Sequence, residues 1–581
     1  MVTSALLALL LLVALLSLLL FFSAGGGRNN TSPSHGDGQS LPPSSRRPAL
    51  ALLGHLPLLG SQHHGHRRLS SARKRADDGQ RLLPPSPPGL PLLGHLHLLG
   101  ILPHRSLRSL AAAHGPVMLL RLGQVPTVVA SSAAAAEEAM KTRDLAFSGR
   151  PRLQMAERLL YGRDVGFAPY GEYWRQARRV CAVHLLSPRR TASFRRAREQ
   201  EVAALVARVR ASDDGAGAVN LSDALICYSK AIISRAAFGD GDYGLHGDEG
   251  GEKLRRVLAD FQELLLATPM REVSPWLGWV DTLTGLEAKT RRTFEALDGL
   301  LERVIADHRH RRREGGGGRP AVVGVAADED DHRDFVDVLL DVNEMDSDAG
   351  LRLDTDSIKA IIMQDVFAAG TDTSSTVLGW AMAELMNHPE EMRRLQAEVR
   401  GAIAGRCDVT EDHLEGMPYL RAVISETMRL HAPAPLLIPR ETTEDTELLG
   451  HRVPARTRVV INAWAIGRDP AAWERAEEFV PDRFVGGPGA PPVEYSYSKV
   501  GVGQDFRSVP FGAGRRGCPG AGFAAPTVEL ALANLVYHFD WAAPTAHGGG
   551  VGTPPVDVSE VYGLSVRLKT PLILVAKPWL G

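Results

Sequence analysis

The chain has 581 residues, with 66 Lys and Arg against 67 Asp and Glu, a formal charge of -1, and 44% hydrophobic residues. This length admits one large catalytic domain or roughly two to four ordinary ones, and the balanced charge excludes the electrostatic footprint of a nucleic-acid binder. Cys181, Cys227, Cys407 and Cys518 are too scattered for a zinc finger or a disulfide framework, the usage of a chain folded in a reducing compartment.

Ala5 to Phe22 is apolar apart from Ser17. At about 1.5 Å per residue it spans roughly 27 Å, near the hydrocarbon thickness of a bilayer. A cleaved signal peptide is the rival reading, helped by Ser23, Ala24 and Gly25 but weakened by the missing basic flank. We therefore expect residues 1–24 to be a membrane anchor. Arg28, Arg46, Arg47, Arg67 and Arg68 follow the span and no Lys or Arg precedes it, so the positive-inside rule puts the bulk of the chain in the cytosol and leaves Asn29, Asn30 and Asn220 unglycosylated.

Residues 25–83 are rich in Gly, Ser, Pro, His and Arg and predict a flexible linker. Inside it, Ala51 to Gly60 nearly repeats Pro91 to Gly100, but only the second copy follows the stiff segment Pro84-Pro85-Ser86-Pro87-Pro88-Gly89. The first copy reads as a duplication or a gene-model artefact, and two copies exclude a solenoid. Residues 84–581 are expected to form the catalytic domain.

Val117 to Leu122 and Thr127 to Val129 predict a hairpin-like strand pair around Gly123. Ala133 to Thr142, Tyr173 to Val183, Phe194 to Arg210, Lys253 to Ala267 and Leu286 to His308 carry helical periodicity. Gly315 to Gly318 and Asp328 to Asp331 mark a solvated loop. A long helix is predicted from near Asp356 to Asn387, where Pro389 stops it. In its middle, Ala369-Gly370-Thr371-Asp372-Thr373-Ser374-Ser375 places a glycine, a carboxylate and several hydroxyls among apolar residues, all of them mediocre helix formers. Such misfit points to function. In the structural reading Thr373 bonds a carbonyl one turn back and Asp372 caps a kink. In the functional one the two form an acid and alcohol pair that relays protons. Further on, Glu426 and Arg429 share a helix face at i, i+3, and Pro481-Asp482-Arg483-Phe484 offers another arginine.

The segment Phe511-Gly512-Ala513-Gly514-Arg515-Arg516-Gly517-Cys518-Pro519-Gly520 carries the most information. It sets one cysteine among glycines and cations just before an apolar run, Thr527 to Leu532, that reads as a helix. Cationic neighbours and the positive end of a helix both favour a thiolate, while the glycines let backbone amides turn toward the sulfur. Alone, Cys518 reads better as a buried structural thiol, and the spacing around it reverses that. The spacing Phe-x-x-Gly-x-Arg-x-Cys-x-Gly, filled by Phe511, Gly514, Arg516, Cys518 and Gly520, resembles the heme signature of the cytochrome P450 superfamily.

The Ala369 to Ser375 segment resembles the oxygen-activation segment of that superfamily, and Trp174-Arg175-Gln176 and Asn462 to Pro470 look most like the plant microsomal A-type enzymes. The resemblance implies a mainly α fold with a small β-sheet region, anchored in the endoplasmic reticulum membrane by one transmembrane helix and facing the cytosol. It implies heme b ligated by the Cys518 thiolate, a monooxygenase acting on a small hydrophobic metabolite by hydroxylation or epoxidation, and electrons from NADPH through an NADPH–cytochrome P450 reductase. It further implies that Trp174, Arg178, Arg440 and Arg516 hold the heme propionates, that Phe511 and Cys518 complete the heme loop, that Asp372 and Thr373 are catalytic, and that Glu426, Arg429 and Arg483 form a buried network behind the loop. Asp482 stands where the family more often has Glu. Pocket walls are expected from Gly166-Phe167-Ala168, Val366 to Ala369, Ala434 to Leu437 and Gly563-Leu564-Ser565. Two alternatives are a heme-thiolate isomerase or dehydratase, which could dispense with the acid and alcohol pair, and a non-catalytic heme-binding sensor.

Overall fold

Apolar periodicity at helical spacing dominates the chain after the proline segment, and helices are what it forms. The computed structural model describes residues 82–581 apart from 212–217, 240, 242, 244–247, 315–332, 346–352, 404–407, 486–503, 545–555 and 580–581. The expected anchor, the first repeat copy, Asn29, Asn30, Cys407, Gly315 to Gly318 and Asp328 to Asp331 lie outside the described residues. Among the described residues no helix is long and apolar enough to cross a membrane.

The hairpin forms as its alternation predicts, with Val117–Leu122 antiparallel to Val125–Ala130. A parallel partner, Arg458–Ile461, and the short Arg440–Glu441 extend it to four strands. The second repeat copy is fastened to this sheet. The buried His95 ring accepts the Arg121 amide at 2.7 Å and bonds the Pro87 carbonyl at 2.9 Å, and the Leu119 amide reaches Pro85 O at 2.8 Å. The proline segment is thereby held along the sheet edge. A second sheet orders Ala218–Asn220, Ile573–Pro578 and Phe539–Ala542.

Helices fill the rest. Glu172–Val180, Arg195–Ala211 and Leu286–Glu314 occupy three of the stretches with helical periodicity. The predicted long helix begins one residue early, at Thr355, where the Asp354 side chain caps the Ser357 amide at 2.8 Å. It widens to π pitch over Ile361–Ala368 and resumes as Ala369–Asn387. Around it pack Leu221–Phe238, Pro418–Leu430 and Ala521–His538, the last starting three residues after Cys518. One large apolar core runs through all four, and the widened helix crosses its centre. That placement brings Thr373 to the Cys518 loop.

Candidate active site

A cavity lies between the central helix and the Cys518 loop. Its apolar wall includes Val377, Ile424, Met428, Phe523 and Val528, and Cys518 borders it together with Phe511. The loop is shaped by its backbone. Gly514 sits at φ +65°, where a Cβ would fall 2.1 Å from Met140 O, so no other residue fits there. The Cys518 amide donates to Phe511 O at 2.9 Å and closes the turn.

The sulfur accepts from the amides of Gly520 and Ala521 at the start of the Ala521–His538 helix. Burial pushes the Cys518 thiol up, while the two amides and the Arg178 guanidinium oppose that. The sequence led us to expect the loop's own cations to favour the thiolate. Instead Arg515 turns away to Asp144 at 3.1 Å, Arg516 spends its donors on Ser148 O, Val165 O and Ala168 O, and the cation acting on the sulfur comes from another helix. A metal ion taking the place of the proton would hold this sulfur as thiolate.

Along one edge of the cavity four guanidiniums converge, from Arg150, Arg178, Arg440 and Arg516. Arg178 donates to Gly517 O at 2.6 Å and Arg440 to Ala513 O at 2.8 Å, so both also brace the Cys518 loop. Trp174 stacks under Arg516 at 4.0 Å and donates its indole N–H to Val165 O at 3.0 Å. Desolvation pulls all four arginines down, Arg440 to about 10 and Arg516 to about 9, with Arg440 adding repulsion on Arg516. A dense set of buried cations at one edge calls for anions to complete it.

Thr373 borders the cavity and its hydroxyl donates to Ala369 O at 2.6 Å, the bond that the structural reading predicts. Gly370 beside it leaves room for Ile233, whose Cδ1 would lie 2.5 Å from a Cβ at that position. Asp372 is half-buried and does not border the cavity. Of the expected walls, Gly166, Val366, Ala369, Ala434 and Leu437 line it, whereas Phe167, Ala168, Phe367, Ala368, Pro435, Leu436 and Gly563 to Ser565 do not. Sequence reasoning missed Arg150 and the carboxylates Asp164 and Asp365. Arg150 has no periodic or motif signal, but Asp365, an acid inside Ile361-Ile362-Met363-Gln364-Asp365-Val366-Phe367, breaks helix rules as plainly as Asp372 does.

Behind the loop, the Glu426 carboxylate takes two bonds from Arg429, at 2.6 and 2.8 Å, one from Arg483 at 3.0 Å and one from the Val480 amide at 2.7 Å. Arg429 spends its other donors on Gly467 O, Ala476 O and Glu478 O. Asp482 lies outside this network, paired with Arg394 at 2.6 Å.

The cytochrome P450 family profile matches residues 84–549. The chain belongs to the cytochrome P450 family. Cytochrome P450 71A1 of Persea americana is 45% identical over 82% of this chain and 89% of its own length. Cytochrome P450 71A6 of Nepeta racemosa is 44% identical, over 85% and 94%, and norfluorocurarine oxidase of Strychnos sp is 43% identical, over 85% and 92%. These relatives mark it as a plant P450 of the A-type, and hence an oxidoreductase of the monooxygenase class. Among solved structures, a zebra fish cytochrome P450 with progesterone aligns with a TM-score of 0.65 at 23% identity, over 82% of this chain and 99% of that one, and shares the mainly helical fold with small sheets. P450 enzymes carry heme on a cysteine thiolate, and the cavity suits that group. It offers a sulfur braced by helix amides, apolar walls for a macrocycle, and a cluster of guanidiniums for two carboxylates.

Proposed function

We propose that this P450 is a microsomal monooxygenase that inserts one oxygen atom from O2 into a small, largely apolar metabolite, by hydroxylation or epoxidation, with electrons from NADPH through a cytochrome P450 reductase. The convergence of Cys518, four guanidiniums and an otherwise apolar wall on one cavity carries the reading. Heme bound through a thiolate supplies O–O cleavage. Cys518 is then the iron ligand beside Phe511. Arg150, Arg178, Arg440 and Arg516 take the propionates, because planar and permanently charged guanidiniums bind carboxylates in pairs of bonds, and Trp174 fixes the Arg516 plane. Coexpression with a plant reductase in microsomes, followed by a screen of a metabolite library for products one oxygen heavier, tests the reading. A protein that takes up heme and binds ligands but never turns over NADPH would sink it in favour of a sensor.

Thr373 is the group that handles protons inside the cavity, and Asp372, half-buried and one residue back, exchanges them with solvent. Thr373→Ala is expected to keep heme and ligand binding while NADPH is consumed with less product and more hydrogen peroxide. Loss of a general acid or base typically costs about 10²–10⁴-fold, and Asp372→Asn is expected to slow turnover within that range. Unchanged coupling in Thr373→Ala would leave the hydroxyl only its bond to Ala369 O.

Residues 1–24 serve as the anchor, 25–83 as the linker and 84–581 as the catalytic domain, with the cytosol-facing attitude set by the proline segment. Exposed Leu90, Leu92 and Ile101 near that segment, and exposed Trp276, Trp279 and Leu283, give the catalytic domain a second apolar contact with the bilayer. Gly123 packs on Val273, and Gln124 bonds Ser274 at 3.4 Å, so the two groups flank one hairpin turn. Deleting Met1 to Ala24 is expected to shift much of the protein from the membrane pellet without loss of heme, with the remainder released by detergent. Complete retention in the pellet would contradict the anchor.

A further inference from the structure

Two carboxylates, the buried Asp164 and the half-buried Asp365, grip the loop that walls the cavity beside the guanidiniums. Asp365, on the central helix, accepts the amides of Val165 and Gly166 at 2.7 and 2.9 Å. Asp164 accepts the amide of Phe167 at 2.6 Å through Oδ2. One oxygen of each lies 3.4 Å from where a Gly166 Cβ would stand, so the two acids close on the same residue. On the other side, the loop's carbonyls are taken by cations and the indole: Val165 O by Trp174 and Arg516, Gly166 O by Arg150 at 2.9 Å, and Ala168 O by Arg516. Every amide from Val165 to Phe167 thus ends on one of two acids. Of the four carboxylate oxygens only Asp164 Oδ1 is buried without a hydrogen-bond partner.

We propose that Asp164 and Asp365 form a protonation-dependent latch, a pair of positioning residues that holds the Asp164 to Ala168 loop closed on the cavity and releases it when the pair loses its proton. The inference rests on the reading of this cavity as the substrate site. Two acids gripping one residue do not both ionise readily where water is scarce. Burial lifts Asp164 to about 6 despite Arg150 and Arg516 nearby, and burial followed by the Asp164 charge lifts Asp365, against Arg178. The other titratable groups facing the pair are Tyr173 and Cys181, both pushed up by burial and so neutral, and Cys518 across the cavity, whose thiolate would add a negative charge that favours the protonated pair. The partnerless Asp164 Oδ1 is where the proton rides. Carboxylates of heme on the arginines would draw the compensating charge away from the acids and strengthen their hold on the proton. The sign follows from the raised values. A proton bound more tightly in the closed loop stabilises that state at low pH, and the stabilisation is lost as pH rises through the folded-state value.

Hydrogen–deuterium exchange of the heme-loaded protein, read on the peptide containing Val165, Gly166 and Phe167 between about pH 5.5 and pH 8.5, tests the latch without needing a substrate. Protection factors, which divide out the intrinsic pH dependence of exchange, are expected to fall by up to about tenfold per pH unit once that proton is released. Asp164→Asn, isosteric with the protonated acid, is expected to keep the low-pH protection at every pH. Asp365→Asn loses one of two acceptors and is expected to lower protection without a pH slope. A flat wild-type profile overturns the proposal even where Asp164→Asn does not accumulate, and so does an Asp164→Asn profile that falls as the wild type does. The reduced carbon monoxide spectrum of the same sample checks the heme-enzyme reading separately.

Discussion

Cys518→Ala is expected to abolish the strongly red-shifted Soret band of the reduced carbon monoxide complex, the band from which the P450 family takes its name. The band needs a thiolate on the iron, and among the described residues the cavity offers one thiol, presented by two helix amides. Removing it leaves the Arg178 bond to Gly517 O and the Arg440 bond to Ala513 O in place, so the loop is expected to fold while any heme it retains binds without thiolate character. The controls differ in kind. Cys181 is buried, with its thiol pushed up by desolvation, and Cys227 is exposed on the Leu221–Phe238 helix. Both Cys181→Ala and Cys227→Ala are expected to keep the band, as is Cys407→Ala. An unchanged band in Cys518→Ala would remove the ligand assignment and with it the chemistry proposed here.

The features legible in the sequence are those whose physics is local. The hairpin at Val117 follows from alternation, the start of the long helix near Asp356 from its periodic run, and the Cys518 loop from glycines that a tight turn requires. The helix Leu221–Phe238 is harder to read, because it is buried on most faces and carries no clean polar stripe. The widening of the central helix over Ile361–Ala368 leaves no mark that composition alone reveals, although it brings Asp365 against the loop amides. Arg150 and Asp164 become functional candidates only when 164–168 folds against Asp365, a consequence of contacts across some 200 residues of chain. The misfit rule pointed to the right helix and, at Thr373, to a cavity residue. It did not separate Asp372, which does not border the cavity, from Asp365, which does.

The network behind the loop is where a single side chain matters most to the fold. Glu426 and Arg429 have no exposed side-chain surface, and every oxygen and nitrogen of the pair has a partner. Arg429→Ala leaves the carboxylate half-paired and frees the carbonyls of Gly467, Ala476 and Glu478. Breaking a buried pair from one side costs about 3–5 kcal/mol, a large share of the roughly 5–15 kcal/mol that holds a domain together. The damage reaches the heme loop through Trp473, which stacks on Arg429 at 5.3 Å and donates its indole N–H to Arg507 O, four residues before Phe511. Little heme-loaded Arg429→Ala protein is therefore expected, and Arg429→Lys is expected to fare almost as badly, since an ammonium has three donors and no planar fork for these acceptors. Arg483→Lys should be milder. That guanidinium is 13% exposed and gives Glu426 a single bond, which a lysine can replace. Heme content and the thermal midpoint of the purified protein are the measurements, and a wild-type midpoint for Arg429→Ala would show that the network is dispensable to the fold.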